Sequence, residues 1–226
     1  MTRADVADRV AHAFEQTARA AGSAGRRVAV AVPGGSVAEI VFPRLAALTI
    51  DWSRVDLTWV DERVVPSDHP ESNVRATRLH WLDLLPSPGP RIIVPPVNGA
   101  VADVAHAWEA SLVAALGNPP RLDVAMLGVG PDGHVASLFP NHPALQSEGA
   151  WVIGITDAPK PPRVRVSLTL ATLAHASELW IIAFGREKAA VIREARLHPE
   201  SPLPLARVIA SGPRVLWFLD DDAPPG

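Results

Sequence analysis

Apolar residues recur along this chain in two rhythms that take turns. Short apolar runs at 27–32, 57–60, 124–127, 151–155, 164–168, 179–184 and 215–219 read as buried strands. Between them, apolar positions three and four apart predict helices over 37–48, 73–85, 101–116, 170–176 and 186–196. Ahead of all these, Thr2 and Asp5 have the spacing of a capping box, and Val6, Val10 and Phe14 recur every fourth residue, so a first helix extends to about Ala21. Strands that alternate with helices predict an α/β fold of three layers, a mostly parallel twisted sheet with helices on both faces and right-handed crossovers. No composition shift marks a linker, so residues 1–226 read as one domain, with proline-rich loops at 86–96 and 159–162 and a frayed tail at 220–226. In such sheets ligands bind outside the carboxyl ends of the strands.

Composition narrows the function classes. A chain of 226 residues that is 48% hydrophobic and 20% charged has ample core, and its net charge of -3 gives no electrostatic footprint for nucleic acid or an anionic membrane. An anionic ligand therefore needs locally gathered cations. The sequence has no cysteine, which removes disulfides and thiolate metal sites. Arg3, Asp5, Asp8 and Arg9 interrupt any apolar leader, and no apolar run approaches the ~20 residues of a membrane span, so a cytoplasmic address is expected.

The unusual residues cluster where the strands end. Pro33-Gly34-Gly35-Ser36 opens a helix with free N–H groups and a hydroxyl, an arrangement suited to a phosphate, although it has neither a Walker lysine nor dinucleotide spacing. Trp59-Val60-Asp61-Glu62-Arg63 follows the second strand. Arg63 has the fork geometry to grip a phosphate or carboxylate, Asp61 or Glu62 can orient hydroxyls or shift a neighbouring pKa, and Ser72 suits the N-cap of the helix from Asn73. Leu127-Gly128-Val129-Gly130-Pro131-Asp132-Gly133-His134 places one imidazole behind a glycine-rich turn, near the expected start of a short helix whose dipole disfavours imidazolium. Arg163 and Arg165 alternate onto one face of a strand. Lys188 lies in the first turn of the helix expected from Arg186, where a cation is unfavourable unless an anion sits beside it.

These segments together resemble the 6-phosphogluconolactonases. The Trp-x-Asp-Glu-Arg element with its downstream Ser72-Asn73, and the stretch from Leu127 through His134-Val135-Ala136-Ser137-Leu138-Phe139-Pro140, carry the likeness, which spans most of the chain. The chain departs from the pattern at Val37 and Val135, where that family usually has threonine. The resemblance implies hydrolysis of 6-phospho-D-glucono-1,5-lactone to 6-phosphogluconate in the oxidative pentose phosphate pathway, with no metal and no organic cofactor. His134 would be the general base. Gly35, Ser36, Arg63, Arg165 and Lys188 would hold the phosphate, Asp61 would orient sugar hydroxyls, and Asp132 would cap the helix and position His134. Backbone N–H groups of Gly128, Gly130 and Gly133 would face the developing oxyanion. The implied partner is a small sugar-phosphate lactone, not nucleic acid or membrane, and the chain would act as a monomer or weak homo-oligomer. Two alternatives remain open at this point: a sugar-phosphate isomerase or deaminase of the same superfamily, and a non-catalytic sugar-phosphate sensor. The deaminases place a glutamate shortly after the histidine, and residues 135–140 contain no acid.

Overall fold

The computed structural model describes residues 1–223. In chain order the elements are α1 (Arg3–Ser23), β1 (Val28–Val32), α2 (Gly35–Ala46), β2 (Val55–Trp59), β3 (Asp61–Arg63), α3 (Asn73–His80), β4 (Arg91–Ile92) and α4 (Val101–Leu116). There follow β5 (Val124–Gly128), β6 (Val152–Ile155), β7 (Arg165–Leu168), α5 (Leu170–Ala174), β8 (Glu178–Ala183), α6 (Ala189–Leu197), α7 (Pro204–Ala210) and β9 (Arg214–Leu219).

Six strands form one parallel sheet in the order β4-β2-β1-β5-β8-β9. Every residue of β1 and β2 is buried, as expected for strands covered by helices on both faces. The chain moves outward from β1 to β2 and β4, then returns to the other side of β1 with β5. Strand order thus reverses between β1 and β5, and the loops after these two strands diverge to leave a crevice. Helix starts are set locally. Thr2 and Asp5 form the reciprocal capping box of α1, and Ser72 Oγ accepts from Arg75 N at 3.1 Å to cap α3.

The sheet is not the only one, and this differs from the sequence expectation. β6 and β7 leave the parallel sheet and pair antiparallel with β3 in the order β3-β7-β6. β3 is invisible to a hydrophobicity reading because it is made of Asp61, Glu62 and Arg63, yet Asp61 and Glu62 are buried. β4 hides in the proline-rich stretch, and α7, opened by Pro204, has no counterpart in the predicted pattern. Among the described residues no helix opens at His134. Residues 129–138 instead fold through two isolated bridges, Val129 with Val135 and Val135 with Leu138. In the expected tail, Asp220 and Ala223 are buried while Asp221 and Asp222 are exposed; residues 224–226 lie outside the described residues.

Candidate active site

The crevice between the ends of β1 and β5 gathers most of the residues singled out in the sequence. Gly35, Ser36, Asp61, Arg63, Gly128, Gly130, His134, Arg165 and Lys188 line it together, joined by Asn73 and Ala136. Asp132 stands behind His134, and Gly133 faces away, packed toward Leu203. Arg163 is exposed and precedes β7, so Arg165 is the arginine that faces the site.

His134 is held by its neighbours. Its Nδ1 lies 2.5 Å from Asp132 Oδ1, and its ring leans on Phe139 with centroids 4.7 Å apart. An ionised Asp132 accepts a hydrogen bond from Nδ1–H, which leaves Nε2 with the free lone pair; Nε2 has no partner among the described residues. Burial pushes the imidazole below its ordinary value against the opposing pull of Asp132. Burial raises Asp132, but the charge and hydrogen bond of His134, with Lys160, hold it lower overall. The low proton affinity expected from a helix dipole is therefore present, but its cause is desolvation. Asp132 positions the ring without capping any helix. Gly130 is required here because a β-carbon would overlap the His134 ring.

Two of the three N–H groups expected to face an oxyanion are used within the glycine turn. Gly130 N–H donates to His134 O at 3.0 Å and Gly133 N–H to Gly130 O at 2.9 Å, so both serve the turn itself. Free N–H groups lie instead at the start of α2, where the N-cap Gly34 makes no side-chain cap bond and Gly35 takes φ +60°. Ala136 also carries a left-handed φ of 51°, a strained value for a residue with a side chain, at the floor of the crevice.

Three cations meet there. β3 and β7 place Arg63 directly opposite Arg165, a like-charge pairing that is unfavourable unless anions intervene. Arg165 is buried and spent on the protein: it lies 3.8 Å from Asp61, donates to Ser137 Oγ at 3.3 Å, and reaches the carbonyls of three loop residues. Arg63 is tethered at one end only, through Nη1 to Glu71 O at 2.6 Å and Glu71 Oε2 at 3.3 Å, while its buried Nε has no partner among the described residues. Lys188 ends a short 3-10 turn, Arg186–Lys188, ahead of α6, and forms no ion pair among the described residues. Burial lowers its pKa, opposed by Glu187 and Asp220. Among the described residues no group of three or more His, Cys, Asp or Glu side chains is placed to hold a metal ion.

The family described as glucosamine-6-phosphate isomerases/6-phosphogluconolactonase matches residues 1–217. The chain belongs to that family. It is similar to the 6-phosphogluconolactonase of Rattus norvegicus, 39% identical over 204 residues that cover 87% of this chain and 79% of that one. It is 40% identical over 187 residues to the 6-phosphogluconolactonase of Streptomyces coelicolor, covering 77% and 70% of the two chains. Among solved structures, the 6-phosphogluconolactonase from Trypanosoma brucei superposes with a TM-score of 0.84 at 25% identity, covering 98% of this chain and 94% of that one. The three-layer α/β architecture is thus that of the glucosamine-6-phosphate isomerase/6-phosphogluconolactonase family.

Within this family member, several site residues escaped the sequence reading as such. Ser137 is fully buried and donates to Asp61 Oδ2 at 2.5 Å, and Asn73 Nδ2 donates to Asp61 O and Oδ1 at 2.9 and 3.2 Å. Asp61 is consequently occupied by Ser137, Asn73 and Arg165, and organises the cationic wall from behind. Glu62 is buried and accepts from Ser72 Oγ and the N–H groups of Arg63, Asn73 and Val74, anchoring the start of α3. Burial raises its pKa against those donors. The signals in the sequence were the Ser72-Asn73 pair downstream of Asp-Glu-Arg and Ser137 within the stretch that follows His134.

Proposed function

We propose that this chain is a lactonase of the oxidative pentose phosphate pathway that opens 6-phospho-D-glucono-1,5-lactone to 6-phosphogluconate. Relatives named 6-phosphogluconolactonase over most of the chain support the reaction. The observation that carries the mechanism is one crevice holding a free imidazole Nε2 backed by Asp132 and, beside it, Arg63, Lys188 and the start of α2. His134 takes a proton from water as the water attacks the lactone carbonyl, then returns it to the ring oxygen as the C–O bond breaks. General-base assistance of this kind is worth about 10²–10⁴-fold in rate. Asp132 stabilises the transient imidazolium. Arg63, Lys188 and the N–H groups of Gly35 and Ser36 hold the phosphate, and Asp61 acts by holding Arg165 and Ser137 in place.

This reading takes the protein to be a cytoplasmic enzyme that works as a monomer or weak homo-oligomer; no helix among the described residues is long and apolar enough to cross a membrane. The test is hydrolysis of freshly generated 6-phosphogluconolactone above its spontaneous rate, run beside glucosamine 6-phosphate. Turnover of the amino sugar with no lactone hydrolysis would reassign the chain to the isomerase side of the family.

A further inference from the structure

Arg165 has the charge and the position of a phosphate ligand, yet most of its donors hold the loop that precedes β7. Nε donates to Pro162 O at 2.8 Å, and Nη2 to Lys160 O at 3.2 Å and Pro161 O at 3.4 Å. That clamp delivers Lys160 to a defined place. Its Nζ stands 3.6 Å from Asp132 Oδ2, the carboxylate oxygen that His134 does not use, since His134 Nδ1 meets Oδ1. The two oxygens of Asp132 are divided between the imidazole and an ammonium from a different part of the chain.

We propose that Lys160 is a positioning residue for the reaction: by holding Oδ2 of Asp132 it orients that carboxylate and limits how strongly His134 retains a proton. This rests on the reading of His134 as the base. Three charged groups act on the ring: Asp132 from its own loop, Asp61 from β3, and Lys160 from the loop before β7; Arg63, Arg165 and Lys188 line the same crevice. The charge of Lys160 opposes imidazolium while the two aspartates favour it, so removing Lys160 alone tips the balance toward the protonated ring. Lys160 is half exposed, 45% by side chain, so its replacement leaves no cavity in the core.

The experiment compares the wild-type protein with Lys160→Met and Lys160→Arg by NMR titration of the imidazoles, His134 being identified as the signal missing from His134→Gln, and by the pH profile of kcat/KM. A unit charge just beyond direct contact in a water-like dielectric is worth about half a pH unit, so Lys160→Met should raise the His134 midpoint and the acid limb by about that much. Lys160→Arg leaves both in place, and 1 M salt shrinks the shift. A midpoint unmoved in Lys160→Met overturns the proposal. So does a KM for the phosphorylated lactone that rises tenfold with no change of midpoint, which would place Lys160 in the phosphate grip. Because the NMR titration needs no turnover, an inactive wild-type protein whose midpoint still moves would sink the lactonase reading and leave the electrostatic link standing.

Discussion

His134 and Asp132 are only two residues apart, yet the 2.5 Å contact between Nδ1 and Oδ1 bends the turn back so that the side chains meet. Gly133, at φ +80°, permits that reversal. The pair fixes a tautomer, and this separates its two members experimentally. His134→Ala should lower kcat by about 10²–10⁴-fold, while 6-phosphogluconate still binds in calorimetry. Asp132→Asn should retain the ring but favour the wrong tautomer, with a kcat loss on the order of 10²-fold or more. An Asp132→Asn enzyme with wild-type kcat would show that the contact is only structural.

The pH profile follows from burial of the same ring. A base must be neutral to act, and desolvation disfavours imidazolium, so His134 sheds its proton below the ordinary value for an imidazole. Activity should therefore persist as pH falls through about 6.5 and decline only below it. The acid limb of kcat/KM, corrected for spontaneous lactone opening, reads this directly; a limb above 6.5 would contradict it.

Arg63 and Lys188 predict a split between binding and chemistry. Each offers a charge-assisted bond of about 1.5–3 kcal/mol to a phosphate oxygen, so Arg63→Ala or Lys188→Ala should raise KM by about 10- to 100-fold with kcat much less affected. Unphosphorylated gluconolactone should be a poor substrate of the wild type, and its rate should not change in either variant. Equal losses on both lactones would mean that these cations act on the ring or the carbonyl.

Much of this crevice was legible because it sits where backbone geometry demands special residues. Gly35 and Gly130 announce a helix start and a close approach, and hydrophobic runs locate β1, β5 and β8 to within a residue or two. What hydropathy could not register were charged residues that become buried by pairing with one another. β3 is one such case: Asp61 is satisfied in the interior by Ser137, Asn73 and Arg165, and Glu62 by three donors at the start of α3 and the Arg63 N–H. The same pairing accompanies the antiparallel sheet, and Arg165, which the resemblance assigns to the phosphate, lines the crevice with most of its donors bound to the protein. The expected helix after His134 fails for a local reason: Gly130, Gly133 and Leu138 donate to His134 O, Gly130 O and Val135 O within the turn, and Ala136 takes a left-handed φ of 51°.

Asp220, read from sequence as part of a tail, is the buried anchor of the Lys188 turn. Both of its carboxylate oxygens accept from Gly185 N at 3.1 Å, and Ala223 N donates to it at 3.0 Å. Asp220→Ala leaves the Gly185 N–H unsatisfied, which should cost about 1–3 kcal/mol in denaturant unfolding. It should also loosen the turn and raise KM for the phosphorylated lactone. Asp220→Asn keeps an acceptor and should recover part of both losses. If Asp220→Ala loses stability while KM stays unchanged, the anchor serves the fold alone.

Gly130 offers a way to displace the base without touching its chemistry. A β-carbon there would overlap Cε1 and Nδ1 of His134 and press on the Asp132 carboxylate. Gly130 does not occupy a left-handed conformation, so alanine is compatible with its backbone and the conflict lies with the imidazole and its carboxylate partner. Because His134 faces an open crevice, the ring can swing aside at little cost to the core. Gly130→Ala should therefore unfold within about 1 kcal/mol of wild type, inside the ordinary range for a single substitution, while losing kcat nearly as fully as His134→Ala. Gly22→Ala supplies the control, since a methyl group at that position in α1 would meet nothing within 4 Å; it should gain about 0.5–1 kcal/mol from helix propensity and leave turnover alone. A Gly130→Ala protein with full kcat would show that the ring position seen over Gly130 is not the one that removes the proton.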